Sequence, residues 1–312
     1  MRLEIGNFYV RNIIFGEKLS FESGILTINK DEALTYIRAD ERITEAELYI
    51  AKPGDPIRIC PVKEAIEPRV RPDGRGVFPG YTGDLERAGN GTVHALKNCS
   101  VLVVGRHWGG FQDGLIDMSG EGQKYTYFGQ LNNIVLVADT NEVFEQREQQ
   151  KKNDALRRAG HKLAEYIAQC VKELKPEETE VYDLDAMIRR GADVETLPSV
   201  VYVMQPQSQM EELGYNDLVY GWDMNRIVPT VMHPNEILDG ALVSGSFMPV
   251  SSKWSTYDFQ NCPNIKALYR EHGKTINFLG VIMSNLNVAL EQKERAALFV
   301  AQIANTLGAD GA

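Results

Sequence analysis

The runs VLVV (Val101–Val104) and IVLV (Ile134–Val137) decide the fold. Each is a short, unbroken apolar stretch without a polar face, the pattern of a strand buried on both sides. A sheet covered on both faces needs helices. Between Val143 and Glu173 the chain reads as one long helix, with Leu163, Tyr166, Ile167 and Cys170 on one face and an expected interruption at Gly160. Val200–Val203, Val228–Met232 and Ala241–Val243 supply further strands. The expected class is α/β, built from mostly parallel-sheet units.

Outward from that centre, residues 1–70 read as a small β-rich region. Ile25–Ile28 and Glu47–Ile50 are strand candidates, Ala33, Leu34 and Ile37 fall at helical spacing after the acidic turn at Asp31, and Lys52-Pro-Gly-Asp-Pro makes a turn. The PDGRG, FPGYTGD and AGNG segments between Arg71 and Asn90 form a loop-rich connector, so residues 71–245 are expected to hold the α/β domain. Near the end, Ile276–Met283 is an apolar strand, and Ala297, Val300, Ala301, Ala304 and Leu307 mark a helix that stops at Gly308. In a βαβ unit the next loop delivers another parallel strand. Residues 246–312 are therefore expected to contain a processing segment and the start of a second, truncated α/β domain.

The 312 residues are 43% hydrophobic and 24% charged, enough apolar surface to bury a substantial core. A net charge of -10 repels nucleic acid and anionic membrane but leaves small zwitterions unaffected. The first residues lack the apolar core of a signal peptide, and no apolar run is of spanning length. Cys60, Cys99, Cys170 and Cys262 share no metal-ligand spacing, which fits reduced thiols in a cytoplasmic protein. His94, His107, His161, His233 and His272 show no HExxH or paired spacing, so no metal is expected. Gly105, Gly109 and Gly110 miss the GxGxxG spacing and there is no GxxxxGK[ST] loop, so no nucleotide cofactor is expected either.

The chemistry concentrates in DGALVSGSFMPVSSKWSTYDFQN (Asp239–Asn261), where Ser251 and Ser252 stand beyond a strand. A serine at a strained turn can add to the preceding carbonyl and convert the amide to an ester. β-Elimination then cuts the chain and leaves a dehydroalanine that hydrolyses to a pyruvoyl ketone, which condenses with amines. The plainer alternative is a pair of turn residues bonded to their own backbone. Around them, Lys253 could hold a substrate carboxylate, and Tyr257 or Asp258 could orient an amine or assist elimination, with solvated roles as the alternative for the two charges. Trp254, with Trp222 or Tyr257, could form a face for a methylated ammonium, worth about 0.5–2 kcal/mol per contact. His233 stands six residues before Asp239. If parallel strands carry both segments, their carboxyl ends share a crevice in which Asp239 meets substrate and the imidazole moves the protons of imine formation. Capping the following Pro-Asn-Glu turn is the alternative for His233.

Six stretches resemble one family: MRLEIGNFYVRNIIFGEK at the start, Pro61–Arg69, GGFQDGLIDMSGEG (Gly109–Gly122), LPSVVYV (Leu197–Val203), EILDGALVSG (Glu236–Gly245) and NFLGVIMSNLNV (Asn277–Val288). Together they are similar to the substrate-specific component B proprotein of the glycine, sarcosine and betaine reductases. The resemblance implies an oxidoreductase subunit, inactive alone, that is cut in two and carries a pyruvoyl group at the new terminus. It further implies an oligomeric complex with the selenoprotein subunit of component B and with selenoprotein component A, reductive C–N cleavage of a small amine (glycine, sarcosine or betaine), and acetyl phosphate as the outcome. The family's precursor residue is a cysteine shortly after the VSG motif, and counting from Gly245 puts that position on Ser251, with cleavage after Val250. Ser252 is the second choice and Cys262 the third. An unprocessed binding or assembly paralogue is the alternative. Glycine and sarcosine can condense with a ketone, whereas the quaternary nitrogen of betaine cannot.

Overall fold

The computed structural model describes residues 1–105, 114–140, 149–186, 194, 196–208, 216–245, 250 and 253–312. His107, Gly109, Gly110, Ser251 and Ser252 lie outside the described residues. The VLVV run sits in β9 (Cys99–Gly105), the middle strand of a five-stranded sheet ordered β10 (Gly114–Asp117), β6 (Arg58–Ile66), β9, β11 (Asn132–Thr140), β5 (Ile43–Ala51). Every residue of β9 is buried, and successive side chains alternate between two cores. Val101 and Val103 join Leu156, Ala159 and Leu163 of α2 (Gln149–Ala168) on one face, while Leu102 and Val104 pack with Val62, Ile116 and Phe128 on the other.

Gly160 does not interrupt α2. A Cβ there would stand 2.1 Å from Val103 Cγ2, so the missing side chain lets the helix lie close against β9. The expectation of a break mistook a packing glycine for a helix-breaking one.

A second sheet runs β12 (Glu178–Asp183), β1 (Arg2–Tyr9), β8 (Gly91–Lys97), β7 (Arg69–Val70), and a third, small one runs β2 (Asn12–Phe15), β4 (Ile25–Ile28), β3 (Ser20–Glu22). α1 (Lys30–Arg38) follows β4, its start fixed by Asn29, whose side chain accepts from the Glu32 N–H at 3.1 Å. Strands from both sides of residue 70 pair with one another, β1 with β8 and β6 with β9.

The remaining strands form two three-stranded sheets, β13 (Ser199–Met204), β18 (Asn277–Met283), β16 (Thr230–Met232) and β15 (Trp222–Asp223), β14 (Leu218–Val219), β17 (Leu242–Val243). Three short helices connect them: α3 (Pro234–Leu238), α4 (Thr256–Gln260) and α5 (Pro263–Glu271). α6 (Leu290–Leu307) ends on Gly308 at φ +69°, a left-handed cap, and Gly311 then forms a parallel bridge to Val200. That is the direction a βαβ unit requires.

The α/β class holds, but the sheets are mixed where mostly parallel units were expected. β1–β8, β2–β4, β9–β11 and β13–β18 are parallel, and the other pairs among the described residues are antiparallel. Parallel neighbours need a long crossover, whereas a tight link such as that between β14 and β15 can only reverse the chain. No helix among the described residues is long and apolar enough to cross a membrane.

Candidate functional site

Two anchors flank residues 246–252, of which only Val250 is among the described residues. At the first, Gly245 donates its N–H to Asp217 Oδ1 at 3.0 Å, and a Cβ on Gly245 would stand 1.7 Å from the Asn216 carbonyl oxygen. The VSG glycine is thus required by close backbone approach. At the second, Thr256 donates N–H and hydroxyl to Glu64 at 3.0 and 2.9 Å, and its Oγ1 accepts the Ser244 N–H at 3.0 Å. Two buried acidic side chains, Asp217 and Glu64, therefore hold Gly245 and Thr256 in place. α4 starts at Thr256, with a capping box between Ser255 and Asp258.

Val250 has φ +57°. This left-handed region is unfavourable for a β-branched side chain, so the backbone just before Ser251 is strained. Val250 packs against the apolar cluster of Phe128 and Ile116, as Tyr257 does.

Lys253 and Trp254 border a cavity of about 270 Å³. Tyr202, Gln207, Asp217, Lys253, Trp254 and Phe259 are among its walls. The Trp254 and Phe259 rings are 5.6 Å apart and tilted by 57°. Asp217 also accepts from the Gln207 N–H at 2.7 Å. Burial raises its carboxyl to about 6, against the pull of those two backbone donors and of Arg157 and Lys253. Burial pushes Glu64 further, to about 8, although Thr256 and Ala65 donate to it.

The predicted site residues divide into two groups. Lys253 and Trp254 come together in the cavity wall. The others do not join them. Tyr257 turns to Tyr127 and Phe128, with ring centroids 5.6 and 5.3 Å away. Asp258 is engaged as the cap of α4, accepting from Ser255 N–H at 2.7 Å and from the Tyr127 hydroxyl. Trp222, expected beside Trp254, is 59% exposed on β15 and does not line the cavity.

Asp239, expected to meet substrate, is sealed in the interior, where it pairs with Arg71 and accepts from the Gly89 N–H at 2.6 Å. His233 takes the capping role: its Nδ1 accepts from Asn235 N–H at 3.2 Å and its Nε2 lies 3.2 Å from the Leu184 carbonyl. The crevice expected between these two does not form, because β16 is antiparallel to β18 while β17 belongs to another sheet. Cys262 is buried at the N-terminus of α5. Ser251 and Ser252 lie outside the described residues.

A family model for glycine/sarcosine/betaine reductase component B subunits matches residues 1–312. The chain belongs to this family. It is 71% identical to the betaine reductase complex component B subunit alpha of Peptoclostridium acidaminophilum, over 100% of this chain and 71% of that protein. From the same organism, the glycine reductase complex component B subunits alpha and beta are 41% identical, and the sarcosine reductase complex component B subunit alpha 39%, each over 100% of this chain and 72% of the relative. No solved structure matches the chain.

In this component B subunit, the 239–261 segment by itself does not reveal Glu64, Asp217 and Tyr202, which lie outside it, and Phe259 within it has no polar group to mark it. Glu64 carried a signal, since a glutamate inside the apolar Pro61–Ile66 strand is a buried charge that needs partners. Asp217 carried none, because its place depends on the distant Gln207 and Gly245 amides.

Proposed function

We propose that this chain is the substrate-holding subunit of a betaine reductase and that the 270 Å³ cavity receives betaine. The observation that carries this reading is the 71% identity to the betaine reductase subunit, against 41% and 39% for the glycine and sarcosine relatives. The cavity has the matching chemistry. Lys253 offers a cation for the carboxylate, and Trp254, Phe259 and Tyr202 offer aromatic surface to methyl groups that cannot hydrogen-bond. A selenolate on a partner subunit attacks the methylene carbon, a Se–C bond forms, and the C–N bond breaks with its electron pair leaving on trimethylamine. This chain contributes binding and orientation.

The experiment is reconstitution with the selenoprotein partners and measurement of amine release. Trimethylamine from betaine is expected, with little methylamine from sarcosine or ammonia from glycine. Equal or greater release from glycine would overturn the assignment.

A second reading, favoured by the left-handed backbone at Val250, has Ser251 cut the chain and become a pyruvoyl group. Against it, betaine has no N–H with which to condense on a ketone, and the betaine relative carries the name of one subunit where the glycine relative carries that of two. Intact mass of turnover-competent protein decides. A fragment ending at Val250 with a hydrazine-reactive partner supports processing; one continuous chain supports non-covalent binding.

A further inference from the structure

We propose that Asp217 is the residue that makes this cavity select a cationic nitrogen over an uncharged group of the same shape. The inference rests on the reading of the cavity as the betaine site. Asp217 is only 4% exposed yet forms part of the cavity wall. Each of its oxygens accepts one backbone N–H, from Gln207 at 2.7 Å and Gly245 at 3.0 Å, which fixes the carboxylate without neutralising it. The charged and titratable groups facing it are Arg157 from α2, Lys253 from the segment before α4 and the Tyr202 phenol across the cavity.

A buried carboxylate hydrogen-bonded to two backbone amides, with Arg157 and Lys253 acting on it through space, is stabilised further by a cation that enters beside it. A trimethylammonium is suited to this, because it donates no hydrogen bond and leaves the two amide contacts intact. Trp254 and Phe259 also favour the charged group through cation–π attraction, but that contribution does not change with pH. The pH-dependent part of the discrimination therefore falls to the carboxylate.

The test is calorimetric titration of the protein with betaine and with 3,3-dimethylbutanoate, its carbon isostere, between about pH 5.5 and about pH 8. Betaine is expected to bind at least about tenfold more tightly at the upper end. That preference should shrink several-fold toward the lower end, as Asp217 takes up a proton near 6, while the isostere shows no such fall. Asp217→Asn should reduce the preference to the small, pH-independent part that the aromatic wall supplies. If that substitution disturbs the Gly245 anchor and the protein fails to fold, the wild-type pH profile still decides. A preference undiminished by Asp217→Asn, or one that is flat with pH in the wild type, overturns the role of Asp217 while leaving the betaine site standing. Absence of betaine binding, or binding indifferent to Trp254→Ala, overturns the substrate reading and this inference with it.

Discussion

Asp239 and Asp217 are both buried aspartates whose carboxyls are raised first of all by loss of solvent, yet they belong to different kinds of site. Asp239 has a guanidinium against it, Arg71, and closes the interior between α3 and the Gly89 turn. Asp217 has backbone amides against it and open space beside it. The neighbourhood of Asp239 continues the same way: Arg69 pairs with Glu67 at 2.6 Å and donates to the Gln260 carbonyl at 3.0 Å, tying α4 to the strands. A buried charge that meets its own counter-charge holds a fold together. One whose direct hydrogen bonds come from backbone amides and which borders a cavity can still respond to a ligand.

The largest effect that follows is on stability at the first of these sites. Arg71→Met leaves Asp239 buried without its cation, and a loss of about 3–5 kcal/mol is expected. Asp217→Asn removes one amide acceptor and should lose about 1–3 kcal/mol. Urea unfolding of the two variants checks the order. If Asp217→Asn proves the more destabilising, the division between a structural and a responsive aspartate fails.

pH sharpens the same contrast through two glutamates three residues apart. Glu64 is raised by burial from its ordinary 4.5 to about 8 in the folded protein. Between those values the unfolded chain has released a proton that the folded one keeps, so stability falls as pH rises, by at most about 1.4 kcal/mol per pH unit. Glu67 is also pushed up by burial, but Lys97 and Arg69 overcome this and bring it to about 2. Its contribution is present above about 4.5 and is lost as pH falls through about 2. Glu64→Gln should therefore flatten the decline between pH 5 and pH 8 in unfolding measurements. A decline unchanged in that variant would assign it to other groups.

The elements that could be read from sequence were those whose burial is set locally. β9, β11 and α2 announced themselves because an unbroken apolar run or a one-sided stripe has few other uses, and Gly308 marked the end of α6 because only a left-handed cap fits there. Sheet direction was not legible: nothing in Thr230–Met232 or Leu242–Val243 says which strand will lie beside it. The site divided along the same line. Lys253 and Trp254, singled out for their own chemistry, share a cavity wall, whereas Asp239 and His233 were singled out by adjacency to a motif and satisfy Arg71 and the first turn of α3. Partners distant in sequence decide whether a polar side chain is available, and a single chain does not print them.

The smallest expected effect tests Trp254 against Trp222, which the sequence offered as one possible partner of Trp254 in an aromatic face. Trp254 lies in the cavity wall 5.6 Å from Phe259, while Trp222 is 59% exposed on a two-residue strand. Trp254→Ala should weaken betaine binding by roughly 2-fold to 30-fold, corresponding to about 0.5–2 kcal/mol of cation–π attraction. Trp222→Ala should leave the affinity unchanged, because no described contact joins it to the cavity. Calorimetric titration of both variants measures this directly. A reversed pattern would move the ammonium site out to the β14–β15 hairpin, and the contrast between Asp217 and Asp239 would then say nothing about substrate.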